Sequence, residues 1–129
     1  MILYYDMKIT SHQIKGTGRG KVIGFPTINL DIPSGLSLED GIYAAWVNIG
    51  GKRYKGALHF GPIPTFDETA KSLEVFLLDA VEEVLVGVEN EAIEVDTVKK
   101  IRDIIKFDTT QELTGQIRED ILVIDAILQ

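Results

Sequence analysis

At 129 residues the chain has length for one domain and little room for two. Its 13 Lys and Arg stand against 20 Asp and Glu, a net charge of −7. That excess argues against a nucleic-acid backbone as partner, because such binding needs clustered cations to release counterions. Hydrophobic residues at 45% suffice for a real core, and the absence of cysteine excludes disulfides and thiolate metal sites.

The N-terminal MILYYDMK has no apolar run long enough for a signal sequence or a membrane span. A cytoplasmic chain, a single domain over residues 1–129 and no membrane partner are therefore expected. Residues 7–15 read as a first strand, closed by the loop KGTGRGK. This loop fails two nucleotide motifs. A P-loop ending in Gly20-Lys21 needs glycine at position 15 and a hydroxyl at 22, where Lys15 and Val22 stand. A dinucleotide loop starting at Gly16 needs glycine at 21, where Lys21 stands. What remains is the physics both share: glycines let backbone N–H groups approach an anion, and Lys15, Arg19 and Lys21 add charge. An anion loop and a solvated turn both fit.

Gly-Phe-Pro-Thr-Ile-Asn follows at residues 24–29. Pro26 biases Phe25 toward extended backbone, and on an extended chain Thr27 and Asn29 point to one side. A hydroxyl and an amide carbonyl so placed suit a hard cation together with phosphate oxygens, or else cap a turn. Residues 41–49 (GIYAAWVNI) and 52–60 read as strands joined by a tight Gly50-Gly51 hairpin. Gly61-Pro62-Ile63-Pro64 is expected to break that ladder, since proline donates no hydrogen bond. Residues 72–78 (SLEVFLL), 84–88 and 92–99 complete a set of about six strands, which suggests an antiparallel barrel or sandwich. Glu74 shares a strand face with Phe76 and Leu78, so it sits at a barrel mouth, in a desolvated pocket or on a wet edge. In a pocket, desolvation would favour its neutral form and make it a useful base near neutral pH. His12 and His59 have no carboxylate partner or metal spacing in the sequence, so both read as structural or exposed.

Beyond residue 108 the period changes. Leu113, Ile117, Ile121, Ile124 and Leu128 recur on one face of a helix, and Thr109 with Glu112 has the spacing of a capping box. The helix is expected to pack on the barrel, without a chemical role.

The ordered series GTGRGKVIGFPTINL, GIYAAWV, YKGALHFGPIPTF, LEVFLLD, LVG and IRDIIKFDTTQELTGQIREDI resembles the riboflavin kinase family over residues 8–125. The resemblance implies a mainly β fold, a six-stranded antiparallel Greek-key barrel with a C-terminal α-helix. It implies transfer of the γ-phosphate of ATP to the 5′-hydroxyl of riboflavin, giving FMN and ADP. Gly16, Gly18, Arg19 and Lys21 fall in the family's nucleotide loop. Thr27 and Asn29 match its ligands to magnesium, or another divalent metal, and to phosphate. Glu74 matches its catalytic base, and Arg102 and Phe107 border the flavin. Riboflavin and ATP would be the partners of a monomer. In bacteria this domain is commonly fused behind an adenylyltransferase; standing alone, it would leave FAD synthesis to another protein. The sequence departs from the family at Lys21 and Ile63, where arginine is usual. It departs also at His59 (asparagine), Phe76 (histidine) and Ile104 (glutamate). A non-catalytic flavin- or nucleotide-binding regulatory module on the same barrel is the alternative; retention of Thr27, Asn29 and Glu74 together favours the enzyme.

Overall fold

Gly50 and Gly51 adopt φ of 57° and 79°, a pair of positive values that only glycine takes without strain, and they fold the chain back on itself. In the computed structural model, which describes residues 7–15, 24–79, 88 and 90–129, this turn joins β3 (Gly41–Ile49) to β4 (Lys52–Ile63) with Ile49 opposite Lys52. Around the hairpin lie β1 (Lys8–Ser11), β2 (Ile28–Leu30), β5 (Glu68–Leu77) and β6 (Ile93–Arg102). A 3₁₀ turn, Pro64–Phe66, links β4 to β5, and helix α1 (Thr110–Ile127) ends the chain.

All strand pairs are antiparallel, in the order β1-β6-β3-β4-β5-β2. The two edge strands then meet. Gln13 bridges Leu30, Ile14 N–H donates to the Asn29 carbonyl at 2.8 Å, and Asp31 N–H donates to the His12 carbonyl at 3.0 Å. This contact brings the two edges of the sheet together and curls it toward the expected barrel.

Several boundaries differ from the sequence reading. The first strand ends at Ser11, because the chain leaves β6 and turns to bridge Leu30. The ladder is not broken at Gly61: β4 runs to Ile63 and shifts register between Gly61 and Ile63, so Pro62 falls where the pairing is already irregular. β2, only three residues long, was not among the expected strands. Of the strand expected at 84–88, residues 84–87 lie outside the described residues, and Val88 is a buried turn residue.

Alternation along the strands sorts the side chains. Tyr43, Val47, Leu58, Leu73, Val75 and Val95 point into the barrel and are fully buried. A smaller apolar cluster sits outside the sheet, where Ile124 of α1 and Leu128 at its C-cap pack on Ala44, with Trp46 and Ala57 at its margin. The helix starts as the capping spacing predicts, with Glu112 N–H donating to Thr109 Oγ1 at 3.1 Å. The reciprocal arm differs slightly: the Glu112 carboxylate accepts from Asp108 N–H at 3.3 Å rather than from Thr109. Among the described residues no helix is long and apolar enough to cross a membrane.

Lys100 stabilises the end of β6. Its ammonium pairs with Glu39 and lies 2.6 Å from Asp103. Burial alone would lower its pKa, but the hydrogen bonds and charges of Asp103 and Glu39 outweigh burial and raise it above the ordinary lysine value. A raised folded pKa contributes stability below the unfolded value and loses it as pH rises through the folded one. Lys100→Met is therefore expected to lower the melting temperature at neutral pH. The deficit should shrink as melts are taken above about pH 10.4, where the unfolded lysine discharges.

Candidate active site

The same alternation that buries Leu73, Val75 and Leu77 puts Glu74 and Phe76 on the outer face of the barrel. Cross-strand pairing then builds a row. Asn29 of β2 lies opposite Glu74 of β5, Glu74 opposite His59 of β4, His59 opposite Ile42 of β3, and Ile42 opposite Arg102 of β6. Directly opposed residues share a face, so five strands present these five side chains side by side. Glu74 is thus on an outer-face pocket rather than a barrel mouth.

Four of the five, Glu74, His59, Ile42 and Arg102, line a cavity of about 150 Å³, and Asn29 stands beside its lining. Its walls come from Phe25 and Thr27 before β2, from Pro62–Phe66, from Ile104, Ile105 and Phe107, and from Leu113, Ile117, Asp120 and Ile121 of α1. The Phe107 N–H donates to Thr65 Oγ1 at 3.0 Å and ties two of these walls together. Phe25 and Phe76 meet edge to face with ring centroids 5.6 Å apart. Ile63 and Ile104 also line the cavity, so its lining is mostly apolar, with polar groups concentrated near Glu74 and Arg102. A cavity of this kind receives a largely apolar ligand and fixes it by a few polar contacts.

Around Glu74 those contacts are specific. Thr27 Oγ1 donates to Oε1 at 3.2 Å, and Ser72 Oγ donates to Oε2 at 3.2 Å. Thr27, Asn29 and Glu74, which the sequence reading singled out separately, are therefore brought to one corner. His59 is not isolated, as the sequence had suggested. It faces Glu74 across two strands, lines the cavity, and sets its Nε2 2.9 Å from the Gly61 carbonyl. Only the register of β4 against β5 reveals that neighbour.

Arg102 and Phe107 both reach the cavity wall. The Arg102 guanidinium is turned onto Asp120 of α1: Nε donates to Oδ1 at 2.9 Å, Nη2 to Oδ2 at 2.7 Å, and Nη1 to the Asp103 carbonyl at 3.1 Å. Gln116 Nε2 adds a bond to Asp120 Oδ1 at 3.0 Å. The two charged side chains are 15% and 8% exposed, so this is a buried, bidentate pair. Sequence reasoning missed Asp120, and with it the part α1 plays in the cavity. A single aspartate on a helix reads as solvated unless its partner is known. Gly16, Gly18, Arg19 and Lys21 lie outside the described residues.

Among the described residues no group of three or more His, Cys, Asp or Glu side chains could hold a metal. The candidate metal ligands at this corner are the Thr27 hydroxyl, the Asn29 amide and the Glu74 carboxylate. All offer oxygen, which suits a hard divalent cation that brings further ligands on phosphate and water. Because Thr27 gives its proton to Glu74, the lone pairs of its hydroxyl remain available to such a cation.

Comparison with known proteins agrees with this geometry. The family model described as riboflavin kinase matches residues 3–128. The chain is 37% identical over 111 residues to the bifunctional riboflavin kinase/FMN adenylyltransferase of Bacillus subtilis, covering 83% of the chain and 34% of that protein. It is 33% identical over 109 residues to the RNA-binding riboflavin kinase RibR of the same organism, covering 84% of the chain and 45% of the relative. The chain thus spans less than half the length of these relatives. A solved structure, the macrolide-efflux protein from Streptococcus pneumoniae, superposes with a TM-score of 0.79 at 28% identity. That match covers 93% of the chain and 38% of the solved one, and places both in the same barrel fold.

Proposed function

The chain belongs to the riboflavin kinase family, and we propose that it transfers the γ-phosphate of ATP to the ribityl 5′-hydroxyl of riboflavin, giving FMN and ADP. The observation that carries this reading is the polar corner of the cavity, where Glu74 is held by two hydroxyls and stands opposite Asn29. Phosphoryl transfer asks a protein for positioning and charge neutralisation more than for covalent chemistry. The isoalloxazine ring would lie among Phe25, Phe76, Phe107 and the apolar face of α1, with Arg102 setting the wall beside it. The ribityl chain would run toward Glu74, which would orient the 5′-hydroxyl and take its proton. Thr27 and Asn29 would hold magnesium, or another divalent metal, together with phosphate oxygens; bound there, the ion would neutralise charge on the triphosphate. The glycines and cations of Gly16, Gly18, Arg19 and Lys21 are assigned to the triphosphate by their place in the sequence, just ahead of Thr27.

The described part of the site is built from one chain, which supports action as a monomer. The acidic balance of the sequence supports small-molecule partners; RNA binding is named for the relative RibR. Incubating the protein with riboflavin, ATP and MgCl₂ and separating the flavins by chromatography tests the reading, with FMN as the expected product. Tight flavin binding with no FMN, whatever the triphosphate or divalent metal, would overturn it in favour of a non-catalytic module.

A further inference from the structure

The hydrogen bonds around Glu74 extend past the residues assigned to the reaction. Ser72 and Glu74 are two apart on β5, so both project from the outer face of the barrel. The Ser72 hydroxyl donates to Glu74 Oε2 at 3.2 Å, and lies 3.5 Å from the carbonyl of Gly61, its cross-strand partner. That same carbonyl is 2.9 Å from His59 Nε2. Gly61 sits at the register shift of β4 with φ of 133°, a conformation that L side chains rarely adopt, and a Cβ there would come within 3.1 Å of Asp40. Thr27, Glu74, Ser72, Gly61 and His59 thus stand in a row from the residue before β2 to β4, beside the cavity.

A carboxylate on a strand turns freely about its last torsion unless both oxygens are engaged. Here Thr27 takes Oε1 and Ser72 takes Oε2, one from each side. We infer that Ser72 is a positioning residue for the transfer: its hydroxyl fixes the plane of the Glu74 carboxylate, so that the lone pairs left by Thr27 and Ser72 are those offered to the substrate hydroxyl. This rests on the kinase reading above. Ser72 does not touch the substrate in this scheme; it acts through Glu74. Its side chain is small and half-buried, so removing the hydroxyl leaves the packing of β5 almost unchanged.

The test compares the parent chain with Ser72→Ala and Ser72→Thr in single-turnover reactions, with enzyme in excess over riboflavin and above its Kd, and with ATP and MgCl₂ saturating. Ser72→Ala is expected to lower the rate of FMN formation by about 10-fold or more, since misplacing a reacting group by an ångström can cost 100-fold. Its riboflavin Kd and melting temperature should stay at the parent values, and Ser72→Thr should restore the rate. The inference is overturned if Ser72→Ala turns over like the parent, if rate and melting temperature fall while Kd rises with them, or if the Thr variant is as slow as the Ala variant. A parent that makes no FMN overturns the kinase reading itself, and so is told apart from a failure of Ser72 alone.

Discussion

Glu74→Gln is expected to slow FMN formation by about 10²- to 10⁴-fold, the usual contribution of a positioned acid–base group, while riboflavin still binds. The amide keeps the size of the side chain and one oxygen that can accept from Thr27 or Ser72. It cannot take a proton from an alcohol, and its NH₂ group meets a hydroxyl where the carboxylate met a donor. Because the ring-binding walls come from other elements (Phe25, Phe107 and α1), loss of the base should leave them intact. The split between turnover and binding is the readout. A variant that binds riboflavin and turns over like the parent removes Glu74 from the chemistry.

The second large effect concerns stability. Asp120→Ala is expected to cost about 3–5 kcal/mol, because it strands a buried cation and also leaves Gln116 without its acceptor. In a domain of this size that corresponds to a drop in melting temperature on the order of 10–20 °C. Replacing both members, as in Arg102→Met with Asp120→Leu, should cost far less, since no unpaired charge remains in the wall. Thermal melts of Asp120→Leu, Arg102→Met and the double variant form the cycle that checks this. Asp120→Ala should also bind riboflavin more weakly, because the pair fixes α1 against β6 along one side of the cavity. Equal melting temperatures for the single and double variants would contradict the account.

What the sequence reveals about this protein follows the range of the interactions. The β3–β4 hairpin is legible because its determinants are local: GIYAAWVNI alternates as a strand, and two consecutive glycines permit two positive φ angles. The start of α1 is legible for the same reason, since Thr109 and Glu112 are three apart. Features that depend on register are not. His59 and Glu74 are 15 residues apart and become neighbours only through the β4/β5 pairing. Arg102 and Asp120 meet across a segment whose path no local rule fixes. β2 carries too few residues for a periodic signal, and it is held as a strand by β5 on one side and by the residue 13 bridge on the other. Pro62 is a signal correctly perceived and wrongly placed: the ladder tolerates it by shifting register. The individual candidates Thr27, Asn29 and Glu74 are visible in the sequence. Their convergence on one corner, and the hydroxyl of Ser72 beside them, come from tertiary structure.

The most direct measurement of the central claim follows γ-labelled ATP through a reaction of the purified protein with riboflavin and MgCl₂. Label is expected in a flavin product that co-migrates with FMN, appearing in step with ADP and mole for mole, and only when riboflavin is present. ADP formed without labelled flavin, or no consumption of ATP at all while riboflavin is bound, would contradict it.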